Sequence, residues 1–259
     1  MIPLHDNNPT RRRAWVTLLL IVGCCAVYFG VQPVGRVMTG RTSNPASSAS
    51  CADLKFNLDH AAIPDELTTG HAHSAATRRS QLAANGCPTR DPLPPKNIWV
   101  SVLVSMFLHG GLLHLGGNML FLWIFGNNIE DRFGRARYLL FYLAAGIVAT
   151  ATQVALDPSS PVPMIGASGA IAGVMGAYLV LYPRVRIKTL VLLIIIPIIF
   201  DLSAFWWLAF WFTTQFFLSP SSGVAWAAHV GGFTFGVVAG LAHRLTSRRP
   251  LRHPQYARY

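Results

Sequence analysis

Three polar features of this sequence hold side chains that could together perform acyl transfer. The first is Gly166-Ala167-Ser168-Gly169. The second is His229, within Ala227-Ala228-His229-Val230-Gly231-Gly232. The third runs from His109 through His114 to Asn118. A serine hydroxyl becomes a useful nucleophile when a neighbouring base takes its proton. The tetrahedral oxyanion then needs preorganised donors, each worth about 3 kcal/mol when well placed. Ser168 offers the hydroxyl and His229 the base. His114 and Asn118 offer donors; they are four residues apart and share one helix face. Alone, each feature has an ordinary reading. Serine at a helix start is a common N-cap. A histidine in an apolar run can simply bond a neighbouring helix. The serine motif is also not a hydrolase elbow of the G-x-S-x-G type, because Ala170 stands where the second glycine would be.

These residues are set in long apolar runs. Of 259 residues, 52% are hydrophobic and 12% are charged, against about 25% charged in a soluble domain. The deficit points to a bilayer rather than to a large soluble core. A spanning helix needs about 20 mainly apolar residues. Runs near that length predict six spans, over 15–33, 112–127, 138–155, 168–182, 203–218 and 223–245. Residues 189–218 as one helix would measure about 45 Å, against a hydrocarbon core of about 30 Å. Pro197 and Asp201 mark the break, so 189–200 is expected as an interfacial or re-entrant segment on the cytoplasmic side. Residues 99–108 are cut off by Gly110-Gly111 and are expected at the outer interface, with Trp99 as anchor.

The formal net charge is +11, a balance that elsewhere signals nucleic acid. Here the cations mark topology instead, and no nucleic-acid partner is expected. Arg11–Arg13, Arg132, Arg135, Arg137, Arg184, Arg186, Lys188, Arg244, Arg248, Arg249, Arg252 and Arg258 all fall on one side of a six-span chain. That side is cytoplasmic. The expected layout is a cytoplasmic 1–14, a first span 15–33, an outer loop 34–98, a core 99–245 and a basic cytoplasmic tail 246–259. The first apolar run continues past Cys24 to Val31, as a span does and a cleaved lipoprotein signal does not. Cys24 and Cys25 read as small buried side chains. Cys51 and Cys87 lie in the outer loop, where a disulfide is permitted.

With this orientation, His114, Asn118, Ser168 and His229 all lie in the outer parts of their spans. Small residues would let two of those spans meet. Gly169 and Gly173 are four apart, and Gly232, Gly236 and Gly240 repeat every four, a spacing that permits close backbone approach.

These motifs, in this order over residues 95–245, resemble the rhomboid family of bacterial six-span type. The stretch 107–134, with His109, His114, Asn118, Glu130 and Arg132, is similar to the family's second span and following loop. Gly166–Gly169 and Ala227–Gly236 are similar to its serine and histidine motifs. The resemblance implies an all-α, polytopic bundle of six helices in the cell (inner) membrane, with both termini cytoplasmic. It implies an intramembrane serine endopeptidase with a Ser168–His229 dyad and no acid. The oxyanion groups would be His114, Asn118 and the Ser168 amide. The substrates would be transmembrane proteins, cut near the outer face. It implies no cofactor and no metal. It further implies that the fifth span is a substrate gate, for which Trp207, Trp211 and Phe212 are the candidates. One alternative is an inactive rhomboid-like protein that binds membrane clients; the presence of both Ser168 and His229 argues against it. A metal site on His109, His114 and His229 is disfavoured, because H-E-x-x-H is absent and Asp201 lies toward the opposite face.

Overall fold

The apolar runs fold into helices. A computed structural model describes residues 1–33, 47–89, 93–193, 196–218 and 223–247. In chain order the elements are β1 (Ile2–Asp6), α1 (Trp15–Gly30), α2 (Ser47–His60), α3 (Pro64–Thr69), α4 (Ala75–Ala84), α5 (Ile98–Ser105), α6 (Leu112–Phe133) and α7 (Arg135–Leu156). Then come α8 (Ser168–Leu181), β2 (Arg186–Leu193), β3 (Ile196–Ser203), α9 (Ala204–Gln215) and α10 (Trp226–Thr246). Loop 219–222 and Arg248, Arg249, Arg252 and Arg258 lie outside the described residues.

α8 is the axis of the bundle. Nearly every residue from Gly169 to Tyr178 is buried. A helix apolar on all sides has neighbours on all sides. α10 lies directly against it, because their glycines leave no room for side chains. A Cβ on Gly232 would collide with the carbonyl of Gly169, and one on Gly236 with the carbonyl of Gly173. Gly176 faces the Phe233 carbonyl in the same way. α6 runs past the expected residue 127 to Phe133 and stops at Gly134, whose φ of 82° suits only glycine well. The extra turn has a use. Glu130 accepts from the Val16 and Thr17 amides at 3.0 and 2.8 Å, and from Thr17 Oγ1 at 2.8 Å. It thereby satisfies the open N-terminus of α1.

The all-α expectation needs amendment. Residues 189–193 and 196–200, expected as an interfacial or re-entrant segment, are strand. They belong to a β2–β3 hairpin, and β1 completes a three-stranded antiparallel sheet in the order β1-β2-β3. The signal was the period-two alternation of exposed Arg186 and Lys188 with buried Ile187 and Thr189, followed by β-branched residues. Pro197 is tolerated because β3 is an edge strand. Residues 98–105 do form a short helix, and Trp99 is exposed on it. By length and apolar composition, one helix among the described residues, Arg135–Leu156, suffices by itself to cross a bilayer. Trp15–Gly30 and Ser168–Leu181 are apolar but shorter.

Helices α2, α3 and α4 build a small cap of their own, around Leu58, Ile63 and Leu82. Cys51 and Cys87 form a disulfide across it. Buried ion pairs join Arg78 to Asp59 and Lys96 to Glu66, each at 2.6 Å.

β1 is tied to the bundle through one carboxylate. Asp6 Oδ2 accepts from the Tyr178 hydroxyl and, at 2.8 Å, from Asn128 Nδ2. Burial pushes the Asp6 pKa up from 3.8 to about 6, and these hydrogen bonds only partly offset the shift. A carboxyl raised on folding stabilises the fold in its protonated form. That contribution is full below pH 3.8 and is lost as pH rises through about 6. It is on the order of 3 kcal/mol. Asp6→Asn should therefore flatten the fall in melting temperature between pH 5 and pH 8 and raise stability at pH 8. An unchanged profile would mean that Asp6 is ionised in the folded protein throughout.

Candidate active site

Ser168 is the first residue of α8, and Ala167 is its N-cap. Its hydroxyl therefore does not cap the helix. Instead it meets His229 Nε2 at 2.8 Å. His229 stands in the first turn of α10. The glycine contacts described above bring these two helix starts together, since Gly169 and Gly232 are the first crossing points beyond the pair.

Gly166 turns the chain into this position at φ 124°, a conformation strained for any other residue. Its amide donates to the Ser105 carbonyl at 2.9 Å. A Cβ here would sit 2.8 Å from His114 Nε2 and 3.6 Å from Ser168 Oγ, so both groups flank the same gap. His114 enters the gap with a defined tautomer. The Gly110 amide donates to His114 Nδ1 at 3.3 Å. Nδ1 is then the acceptor, and the neutral ring carries its proton on Nε2, toward Gly166.

Asn118 lies one turn further along α6. It is buried, and its Nδ2 has no hydrogen-bond partner among the described residues. Buried donors are nearly always satisfied, so an open one four residues along the helix from His114 stands out. Gln32 steadies the approach to α6 by exchanging two hydrogen bonds with the His109 backbone, at 2.9 and 3.1 Å.

The loop that delivers Ser168 is also held from outside. Ala62 of the cap accepts from the Met164 amide at 2.7 Å and donates its own amide to Ser105 Oγ at 2.7 Å. The Asp65 amide donates to the Ser160 carbonyl at 3.1 Å. The three expected gate residues lie on α9 at different depths. Trp207 is only 2% exposed and packs among Phe121 and Phe125. Trp211 lies 5.8 Å from the His229 ring, and Phe212 stacks on Phe233 at 4.6 Å.

Sequence reasoning passed over one member of the cluster. Gln215, the last residue of α9, has its Oε1 2.7 Å from His229 Nδ1. The available signal was an amide side chain in a span otherwise dominated by aromatics; polar groups at membrane depth are costly and tend to be functional.

Residues 96–245 match the Rhomboid domain model. The chain belongs to the rhomboid family, whose members are membrane proteins. It is 34% identical over 173 residues to "Rhomboid protease GluP" of Bacillus subtilis (strain 168), an alignment covering 66% of this chain and 31% of that protein. It is 29% identical over 150 residues to "Rhomboid protein 1, mitochondrial" of Saccharomyces cerevisiae, covering 54% of this chain and 41% of the relative. This rhomboid thus spans well under half the length of these two relatives.

Because the Gly169 carbonyl already touches Gly232, even one added methyl must push α8 and α10 apart. Gly232→Ala should cost about 1–3 kcal/mol in stability and should separate Ser168 Oγ from His229 Nε2. A variant with an unchanged melting temperature would mean that the helices are not in backbone contact there.

Proposed function

We propose that this rhomboid is an intramembrane serine endopeptidase working through a Ser168–His229 dyad. The single observation that carries the reading is the 2.8 Å approach of Ser168 Oγ to His229 Nε2. In this mechanism His229 Nε2 takes the Ser168 proton as Oγ attacks the scissile carbonyl. His114 Nε2–H, Asn118 Nδ2–H and the Ser168 amide receive the oxyanion. The imidazolium then returns its proton to the leaving amine, and water, deprotonated by His229, releases the acyl group.

The substrates we propose are transmembrane proteins cut near the outer face. α1, α6, α7, α8, α9 and α10 would be six spans in the inner membrane, with both termini cytoplasmic. Two observations support this. Leu19, Val22, Leu113, Leu140 and Val238 leave large apolar side chains on the outside of the bundle, a surface that water does not tolerate in large patches. The site residues gather at one end, while Arg132, Arg135 and Arg244 belong to helix ends at the other, where the Arg11 amide also donates to Asp131.

Ser168→Ala and His229→Ala should each abolish cleavage of a model transmembrane substrate in a folded protein, because nucleophile and base act as one unit. Near-normal activity in either would sink the dyad. Asn118→Ala should slow cleavage by about 10²-fold while Ser168 still reacts with a phosphonate. If the wild-type protein resists phosphonate labelling and still binds membrane proteins, it is a client-binding relative and not a protease.

We also propose that α9 is the movable wall through which substrate enters. Trp207 is seated in the core, so we assign the moving contacts to Trp211 and Phe212, which hold the outer half of α9 against Phe233 of α10. Trp211→Ala and Phe212→Ala should speed or redirect cleavage at an unchanged melting temperature. A matched loss of rate and stability would make α9 ordinary scaffold.

A further inference from the structure

Granting the protease reading above, we infer that Gln215 is a positioning residue that fixes the tautomer of His229, so that the dyad has a third, uncharged member carried on α9. The geometry leaves the amide one orientation. Gln215 is buried, with Nε2 2.9 Å from the Trp211 carbonyl and 3.2 Å from Thr214 Oγ1. A carbonyl can only accept, so the NH2 end faces Trp211. The Thr214 hydroxyl donates its proton to the same carbonyl at 2.6 Å and so accepts from Nε2. The oxygen end is thereby turned toward His229, with Oε1 2.7 Å from Nδ1.

That oxygen also can only accept, so Nδ1 must carry the proton and Nε2 must be the free lone pair facing Ser168 Oγ. Each alternative loses a buried hydrogen bond. A proton on Nε2 would set two acceptors, Nδ1 and Oε1, face to face. Flipping the amide to suit that tautomer would set Oε1 against the Trp211 carbonyl. An unmade buried hydrogen bond is costly, so the network selects the tautomer in which His229 can act as a base. An amide does this without adding charge. A carboxylate in its place would still accept from Nδ1, but it would set its other oxygen against the Trp211 carbonyl and would favour the imidazolium, which is the wrong form for the first step. The arrangement also ties the base to the helix proposed to move. Displacing the outer end of α9 withdraws Oε1 and frees the ring to change tautomer.

The test uses the full chain in lipid nanodiscs, with 15N-labelled histidine and His229 assigned by comparison with His229→Ala. In the wild type, Nδ1 should be protonated and Nε2 not. Gln215→Leu, of similar size but without an acceptor, should give a mixture of tautomers. Its kcat should fall by about 10- to 100-fold, the usual cost of losing a partner that orients a histidine, with KM within about 2-fold. Gln215→Glu should keep the Nδ1–H tautomer, recover most of the lost rate at high pH and move the acid limb of kcat/KM to higher pH. A purely structural role for Gln215 would not move that limb. An undiminished Nδ1–H tautomer in Gln215→Leu, or an unmoved acid limb in Gln215→Glu, overturns the inference. Should Gln215→Leu not fold, the Gln215→Glu profile decides alone. The NMR result does not depend on turnover, so an inert Ser168 would remove the protease reading while the tautomer assignment is judged separately.

Discussion

The backbone contact between α8 and α10 is the constraint on which the rest depends. Helices normally keep their axes 8–10 Å apart because side chains stand between them. Here Gly232 and Gly236 on one helix face the carbonyls of Gly169 and Gly173 on the other, and Gly176 faces the Phe233 carbonyl. The contact begins one residue beyond Ser168 and three beyond His229. A serine has little reach, so Ser168 meets the His229 ring because the two backbones are this close. The glycines therefore serve packing and chemistry at once, and neither can be relaxed without the other.

A second layer of order comes from backbone groups and amides that decide where protons sit. The Gly110 amide makes His114 Nδ1 an acceptor and its Nε2 a donor. Gln215 does the opposite for His229, accepting at Nδ1 and leaving Nε2 free. Two histidines beside one serine are thus sorted into a donor and an acceptor by their other ring nitrogens. No carboxylate takes part in these contacts, which suits a site of low dielectric where a buried charge is costly.

Both ends of the bundle are braced by segments outside its helices. At the site end, the disulfide-closed cap holds the 157–167 loop through Ala62 and Asp65. At the other end, β1 pairs with β2, and Asp6 anchors it to α6 and α8. The strand β3 leads straight into α9, so the sheet fixes the start of that helix. Its far end has side-chain contacts with α10.

The sequence by itself pointed to the helices and to the polar side chains that meet between them. Apolar length, cation placement and the separation of Ser168, His229, His114 and Asn118 are local or additive properties, readable without a fold. It also showed glycines at four-residue spacing, because that periodicity is visible in one chain. What it did not disclose depends on contacts between distant segments. The β2–β3 hairpin was hidden in a run apolar enough to pass for membrane segment, and only its pairing with β1 reveals why Ile187 and Thr189 point inward. Ser168 reads as an N-cap until Ala167 takes that place. The permitted Cys51–Cys87 bridge became an actual one only when the cap brought the two Cα atoms to 5.4 Å. Gln215 had no distinguishing neighbours in sequence. Its meaning lies in a 2.7 Å contact across 14 residues and two helices, and tertiary structure alone decides which of many buried amides faces a histidine.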